Sequence, residues 1–329
     1  MKEKLMDEVR KGMVSALTNE QMNILNLVLN KALANVDIVP AENREKHFVS
    51  NSKLLDLFIS SKRVEGCSEK TLKYYQATIE LLFKVLPKEI KEITTNDLRL
   101  YLANQQGKRK SSKVTIDNIR RIFSSFFSWL EDEDYILKSP VRRIHKVKAS
   151  KLIKDVLTDE NLEVLRDNCD KIRDLAMIDL LASTGIRVGE LVKINIADVD
   201  FHERECVVFG KGNKEREVYF NARTKIHLKK YLATRTDSNP ALFVSLSKPY
   251  NRLNIGGVEL RLRQLGKKAN IAKVHPHKFR RTLATMAIDK GMPIEQVQKL
   301  LGHVKIDTTL HYAMVNQNNV KMAHRKFIN

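Results

Sequence analysis

Residues 205–220, "ECVVFGKGNKEREVYF", carry the one strand-rich pattern in this 329-residue chain. β-Branched and aromatic residues flank "GKGNK", where Gly210 and Gly212 permit a tight turn, so a hairpin is expected. Elsewhere apolar residues recur at three- and four-residue spacing, the period of amphipathic helices. The chain is therefore expected to be mainly α, with a small antiparallel β-sheet in its C-terminal domain.

The helical pattern falls into blocks. Residues 1–45 form an appendage in which "NEQMNILNLVLNKAL" sends Met22, Leu25, Leu27, Val28 and Leu29 toward one side, before "DIVPAENREK" breaks the pattern at Pro40. Residues 46–147 hold "NSKLLDLFISSKRV", "SEKTLKYYQATIELLFKVL", "TTNDLRLYLANQQ" and "KVTIDNIRRIFSSFFSWLEDEDY", all with helical apolar spacing. Ser68, and either Thr94 or Thr95, are expected N-caps. "SPVRRIHKVKASKLIKD", residues 139–155, has a proline and few acids and reads as a connection between domains, with 148–157 as the basic linker proper. A second domain, 158–329, begins where Thr158 or Asp159 can cap a helix.

Charge narrows the partner. The chain has 59 Lys+Arg against 39 Asp+Glu, a net of +20. Residues 1–45 contain six Lys+Arg and seven Asp+Glu, so the surplus belongs to the rest of the chain. Such an excess repels itself unless a polyanion answers it, which points to nucleic acid. Lys108, Arg109, Lys110 and Lys113 in the loop "GKRKSSK", and Arg142 and Arg143 in the connection, are candidate phosphate contacts or solvated surface. No run of about 18 apolar residues marks a membrane span. The start, "MKEKLMDEVRKGMV", lacks the apolar core of a secretory leader. Cys67, Cys169 and Cys206 lie too far apart for a disulfide framework or a metal motif, as suits a reducing cytoplasm.

Four short patches carry the chemistry. "LLASTGIRVGELVKI" ends a helix at Gly185 and follows it with Arg187 and Glu190. Lys211 stands at the tip of the hairpin. "VHPHKFRRTLAT" places His277 and Arg280 on one helical face. His275 and His277 have no acidic or cysteine neighbour, so a metal pair is not expected. "LLGHVKIDTTLHYAMVN" supplies His303 and then Tyr312. Singly, each has an ordinary reading: a surface cation, a solvated turn lysine, a packing ring.

Together their order resembles the tyrosine recombinase (phage integrase) family, which includes Xer recombinases and the integrases of phages and transposons. The family pattern is an arginine in "TGxRxxEL", a lysine in a hairpin, then "HxxR", "LGH" and a tyrosine. This chain reads "TGIRVGEL", "GKGNKER", "HKFR", "LLGH" and "TTLHY", with spacings similar to the Xer-type members. One departure is "HKFRR" where "HxLRH" is usual, with Phe279 and Arg281 at the differing positions.

The resemblance implies a two-domain architecture, a helical core-binding domain and a catalytic domain, closing as a clamp on double-stranded DNA. It implies site-specific breakage and rejoining without metal, cofactor or ATP, within a homotetramer, with accessory DNA-bending proteins as possible partners. The catalytic set carried over is Arg187, Lys211, His277, Arg280, His303 and Tyr312, supported by Glu190. Elementary chemistry agrees: two guanidiniums suit the non-bridging oxygens of a phosphodiester, and a tyrosine stores the broken bond as a phosphotyrosyl link. The expected role is integration or excision of a mobile element, in the cytoplasm at the nucleoid. The alternatives are a chromosome-dimer-resolving Xer-type enzyme, a type IB topoisomerase-like enzyme, and a DNA-binding protein without catalysis.

Overall fold

Short polar side chains start most of the helices. In the computed structural model, which describes residues 2–36, 49–107, 110–148, 155–210 and 215–310, Thr18, Ser50, Ser68, Ser112, Thr158, Asn221 and Asn254 each accept a hydrogen bond from a backbone N–H in the first turn that follows. Those amides have no partner within the helix, so each cap fixes where a helix begins. The chain divides into two compact units, Met1–Ser150 and Lys151–Asn329. Lys108, Arg109, Lys211, Tyr312 and the tail beyond it lie outside the described residues.

The first unit contains α1 (Lys2–Met13), α2 (Asn19–Ala32), α3 (Asn51–Val64), α4 (Glu69–Val85), α5 (Thr95–Gly107) and α6 (Lys113–Asp132). Its core is strung along α6, where Ile116, Ile119, Phe123, Phe126, Phe127 and Leu130 are buried at helical spacing. Phe58 of α3 meets Phe126 edge-on at 5.1 Å and Trp129 at 5.6 Å. At the start of α5 the cap is Thr94: its hydroxyl accepts from the Asp97 N–H, and the Asp97 carboxylate accepts from the Thr94 N–H in return. Thr95 instead donates its hydroxyl to the Pro140 carbonyl at 2.7 Å.

Two expectations change here. In α2, Met22, Leu25 and Leu29 are half-buried, but Leu27 and Val28 are exposed. At 100° per residue Leu27 falls nearly opposite the first three and joins Ile24 and Val28 on the outer side. The stretch 139–155 is also less of a connection than its composition suggests. Val141 is buried in the α6 core, Ile144 and Val147 pack against it, and the Val147 N–H donates to Asp117. Its proline and arginines hid three apolar residues that dock. Arg142 and Arg143 stay exposed, Arg142 paired with Glu131, and Lys110 and Lys113 are exposed.

The second unit contains α7 (Asp159–Asp167), α8 (Ile172–Thr184), α9 (Val188–Leu191), β1 (Val199–Asp200), β2 (Glu205–Phe209), β3 (Glu215–Tyr219), α10 (Ala222–Ala233), α11 (Ile255–Lys268), α12 (Pro276–Asp289), α13 (Ile294–Leu301) and α14 (Ile306–Leu310). β2 and β3 form the expected hairpin, with Cys206 opposite Val218 and Val208 opposite Arg216. β1, too short to show in the sequence pattern, adds an antiparallel third strand beside β2. α8 is buried on nearly every side and packs against α10 and α12. Its two buried acids are both paired, Asp174 with Arg173 and Arg261, and Asp179 with Arg166 and His227. Pairing is what makes such charges tolerable inside. Through these contacts α8 is tied to α7, α10 and α11.

Among the described residues, no helix is long and apolar enough to cross a membrane.

Candidate active site

The site is built where α8 stops. Gly185 ends that helix in the left-handed region, φ +59°, with its N–H on the Leu181 carbonyl at 3.0 Å. A Cβ at Gly185 would lie 2.8 Å from a methyl of Leu283 and 3.1 Å from one of Leu301, so any other residue here would strain the left-handed turn and push those two side chains aside. The chain then turns into α9, whose N-cap is Arg187. The buried Glu190 carboxylate receives the Arg187 N–H and the Arg187 guanidinium, both at 2.8 Å. Its other terminal nitrogen donates to the Gly302 carbonyl at 3.1 Å, and the side chain is still 43% exposed.

α12 delivers the second patch. Pro276 sits in its first turn, where a missing N–H costs nothing. His277 is exposed at this end. Arg280, one turn on, is buried and donates to the carbonyls of Gly185 (2.8 Å) and Leu301. The departure from the family pattern is one of packing: Phe279 is fully buried in the main core, and Arg281 reaches the Asp155 carbonyl at 2.8 Å.

The third patch follows α13. Gly302 caps that helix in the left-handed region, φ +63°, and His303 comes next. The His303 N–H donates to the Gln298 carbonyl, and its ring Nδ1 lies 2.8 Å from the hydroxyl of the buried Thr309. Burial first, then the guanidiniums of Arg280, Arg187 and Arg216, and last His277 in its protonated form, pull His303 down to about 4. Its ring is therefore neutral at pH 7.

Arg187, His277 and Arg280 line one cleft of about 350 Å³, together with His275, Glu259 and Arg263. His303 lies close enough to feel all three charges. Four of the six expected catalytic residues are thus brought together, with Glu190 beneath Arg187. The other two, Lys211 and Tyr312, are outside the described residues; the hairpin strands of Lys211 and the helix α14 before Tyr312 are described. Among the described residues no group of three His, Cys, Asp or Glu side chains gathers as a metal site.

Sequence reading missed Arg216. On β3 it shares a face with the buried Val218, and its guanidinium donates to Glu190 at 2.6 Å and to the Leu300 carbonyl at 3.2 Å. Strand alternation held the signal: an arginine two residues before an inward valine needs a buried acceptor. Thr309 was also missed, and a lone threonine offers no comparable signal.

Comparison with known proteins adds the lineage. The sequence pattern of the phage integrase family spans residues 155–319, and that of the phage integrase N-terminal SAM-like domain spans residues 54–137. A protein named tyrosine recombinase XerC from Oceanobacillus iheyensis is 32% identical over 292 residues, covering 83% of this chain and 94% of the relative. A namesake from Staphylococcus aureus is 31% identical over 286 residues, covering 82% and 94%. Among solved structures, a lambda integrase dimer bound to a COC' core site matches 88% of this chain and 85% of its own, with TM-score 0.69 at 18% identity. The Tn1549 transposon integrase in complex with a circular intermediate DNA matches 83% and 98%, with TM-score 0.67 at 20% identity. These two likenesses establish a shared fold. With the family pattern and the relatives above 30% identity, they show that the chain belongs to the tyrosine recombinase (phage integrase) family.

Proposed function

We propose that this chain recombines double-stranded DNA at specific sites, using Tyr312 as nucleophile. The phenolic oxygen attacks the scissile phosphorus, the bond to the 5′-oxygen breaks, and a 3′-phosphotyrosyl link preserves the phosphodiester energy. A free phenol has a pKa near 10, so ionising it at pH 7 costs about 4 kcal/mol. His277 takes that proton, and the cationic cleft lowers the cost. Arg187 and Arg280 hold the two non-bridging oxygens, where the transition state gathers charge. Lys211 gives the leaving 5′-oxygen its proton. Glu190 orients Arg187. His303 is neutral, and in the tautomer whose Nδ1 accepts from the Thr309 hydroxyl its Nε2 carries a proton to donate to the phosphate. No metal or ATP enters this sequence of steps. A 5′-hydroxyl from another strand reverses them and completes exchange, within a homotetramer on two sites.

One observation carries the reading: the two arginines and His277 share a cleft, and His303 stands within their field. The phosphate contacts outside it are Lys108, Arg109, Lys110, Lys113, Arg142 and Arg143. The role is integration or excision of a mobile element, in the cytoplasm at the nucleoid, with accessory DNA-bending proteins. The XerC-named relatives favour a second reading, resolution of chromosome dimers.

Sequencing new junctions in cells that express the protein identifies its sites and separates the two roles: mobile-element ends for the first, one chromosomal locus for the second. Purified protein is then incubated with those sites in EDTA without ATP. Conservative joints between two sites are expected. Relaxed supercoils without joints would instead mark a topoisomerase, and binding without either a DNA-binding module.

A further inference from the structure

Three successive carbonyls at the end of α13 are met by three different arginines: Leu300 by Arg216, Leu301 by Arg280, and Gly302 by Arg187. Carbonyls at a helix C-terminus lack donors within the helix and carry the negative end of its dipole, so cationic donors are doubly favoured there. Two of these arginines already have a task on the phosphate. Arg216 has none, and it comes from β3, the strand that follows Lys211 in the sequence.

Arg216 sits there at a cost. Its side chain is 14% exposed, and its Nε is buried without a hydrogen-bond partner. Burial lowers its pKa against the opposing pull of Glu190. The cause is close packing on Gly302, where a Cβ would stand 2.6 Å from Nε and 2.7 Å from Cδ of Arg216. An aliphatic side chain would fill this inward position of β3 without that penalty. What the arginine adds is a bridge. One branch reaches the carboxylate that also holds Arg187, and the other reaches the turn that presents His303.

We propose that Arg216 is a positioning residue for DNA cleavage: by joining Glu190 to the Leu300 carbonyl, it holds Arg187 and the His303 turn as one unit and ties both to β3, the strand that follows Lys211. This rests on the reading of the cleft as a phosphoryl-transfer centre. Gly302 belongs to the same device, since any side chain there would displace the guanidinium.

The test compares full-length wild type with Arg216→Ala and Arg216→Lys in three measurements: adduct formation on nicked site DNA, DNA affinity, and titration of His303 by NMR of histidine-labelled protein without DNA. Arg216→Ala is expected to slow adduct formation by about 10- to 100-fold, the size of the effect seen when a group that orients a metal's ligands is lost, with DNA affinity unchanged. Arg216→Lys keeps the charge but reaches one acceptor, so it recovers part of the rate. The His303 titration midpoint rises in Arg216→Ala, because a neighbouring cation is gone, and stays low in Arg216→Lys. A wild-type rate in Arg216→Ala overturns the proposal. So does a rate that falls in step with affinity while lysine does no better than alanine. Should Arg216→Ala not fold, a wild-type rate in Arg216→Lys overturns it alone. A wild type that forms no adduct would defeat the reading of the cleft, and the His303 titration would still decide whether Arg216 governs that turn.

Discussion

His303 shows how a single side chain is set by its surroundings. An unfolded histidine titrates near 6.5, whereas in the fold burial and the neighbouring cations hold it at about 4. Between those values the unfolded chain binds the extra proton and the folded chain does not. The stability linked to this residue is therefore present above about pH 6.5 and is lost as pH falls toward 4. Melting curves across that window should show a shallower acid loss in His303→Gln than in wild type; parallel curves would contradict the assignment. A bound DNA phosphate acts the other way, since its negative charge favours the imidazolium. Arg280 differs in kind, because its two described bonds are to backbone carbonyls, Gly185 and Leu301. Its position is fixed by the backbone itself, before any phosphate arrives.

At the scale of elements, the site depends on where helices stop. Gly185 lets α8 end against Leu283 and Leu301, so Gly185→Ala should destabilise the second unit by about 2–4 kcal/mol through left-handed strain and overpacking. Chemical denaturation checks this, and a loss below 1 kcal/mol would show that the neighbours give way easily. In the first unit Phe126→Ala should cost about 3–5 kcal/mol, since its fully buried ring meets Phe58 and Phe127. Much of this was legible in the sequence. "TGIR", "HKFR" and "LLGH" name the three helix ends that converge, and the β-branched and aromatic residues on either side of "GKGNK" name the paired strands. Caps at Ser68 and Thr158 were legible too, because a short polar side chain before an apolar period has few other uses. The rest needed long-range contacts. β1 is two residues long and exists only because β2 lies beside it. The docking of Val141, Ile144 and Val147 depends on the α6 core, which local composition does not describe. In α2, Ile24, Leu27 and Val28 are exposed while the equally apolar Met22, Leu25 and Leu29 are half-buried, a split that composition alone does not describe.

For the whole molecule the governing quantity is charge. A net of +20 concentrated outside residues 1–45 makes DNA affinity a matter of counterion release. A plot of log affinity against log salt should be steep, and neutralising Lys110, Lys113 or Arg142 should each reduce its slope by about 1 while weakening all sequences alike. A change confined to one base position would mark that residue as a reader of sequence rather than a phosphate contact. Affinity is one matter and chemistry another, and the account stands on the second. In the proposed reaction the cleft of Arg187, His277 and Arg280 activates Tyr312 against a DNA phosphorus. Nicked site DNA traps that step, because the released fragment diffuses away and the covalent adduct survives on a denaturing gel. Wild type should give a shifted band whose linked peptide contains Tyr312, while Tyr312→Phe should bind the same DNA with the same salt dependence and give none. An adduct of undiminished yield from Tyr312→Phe would contradict the account.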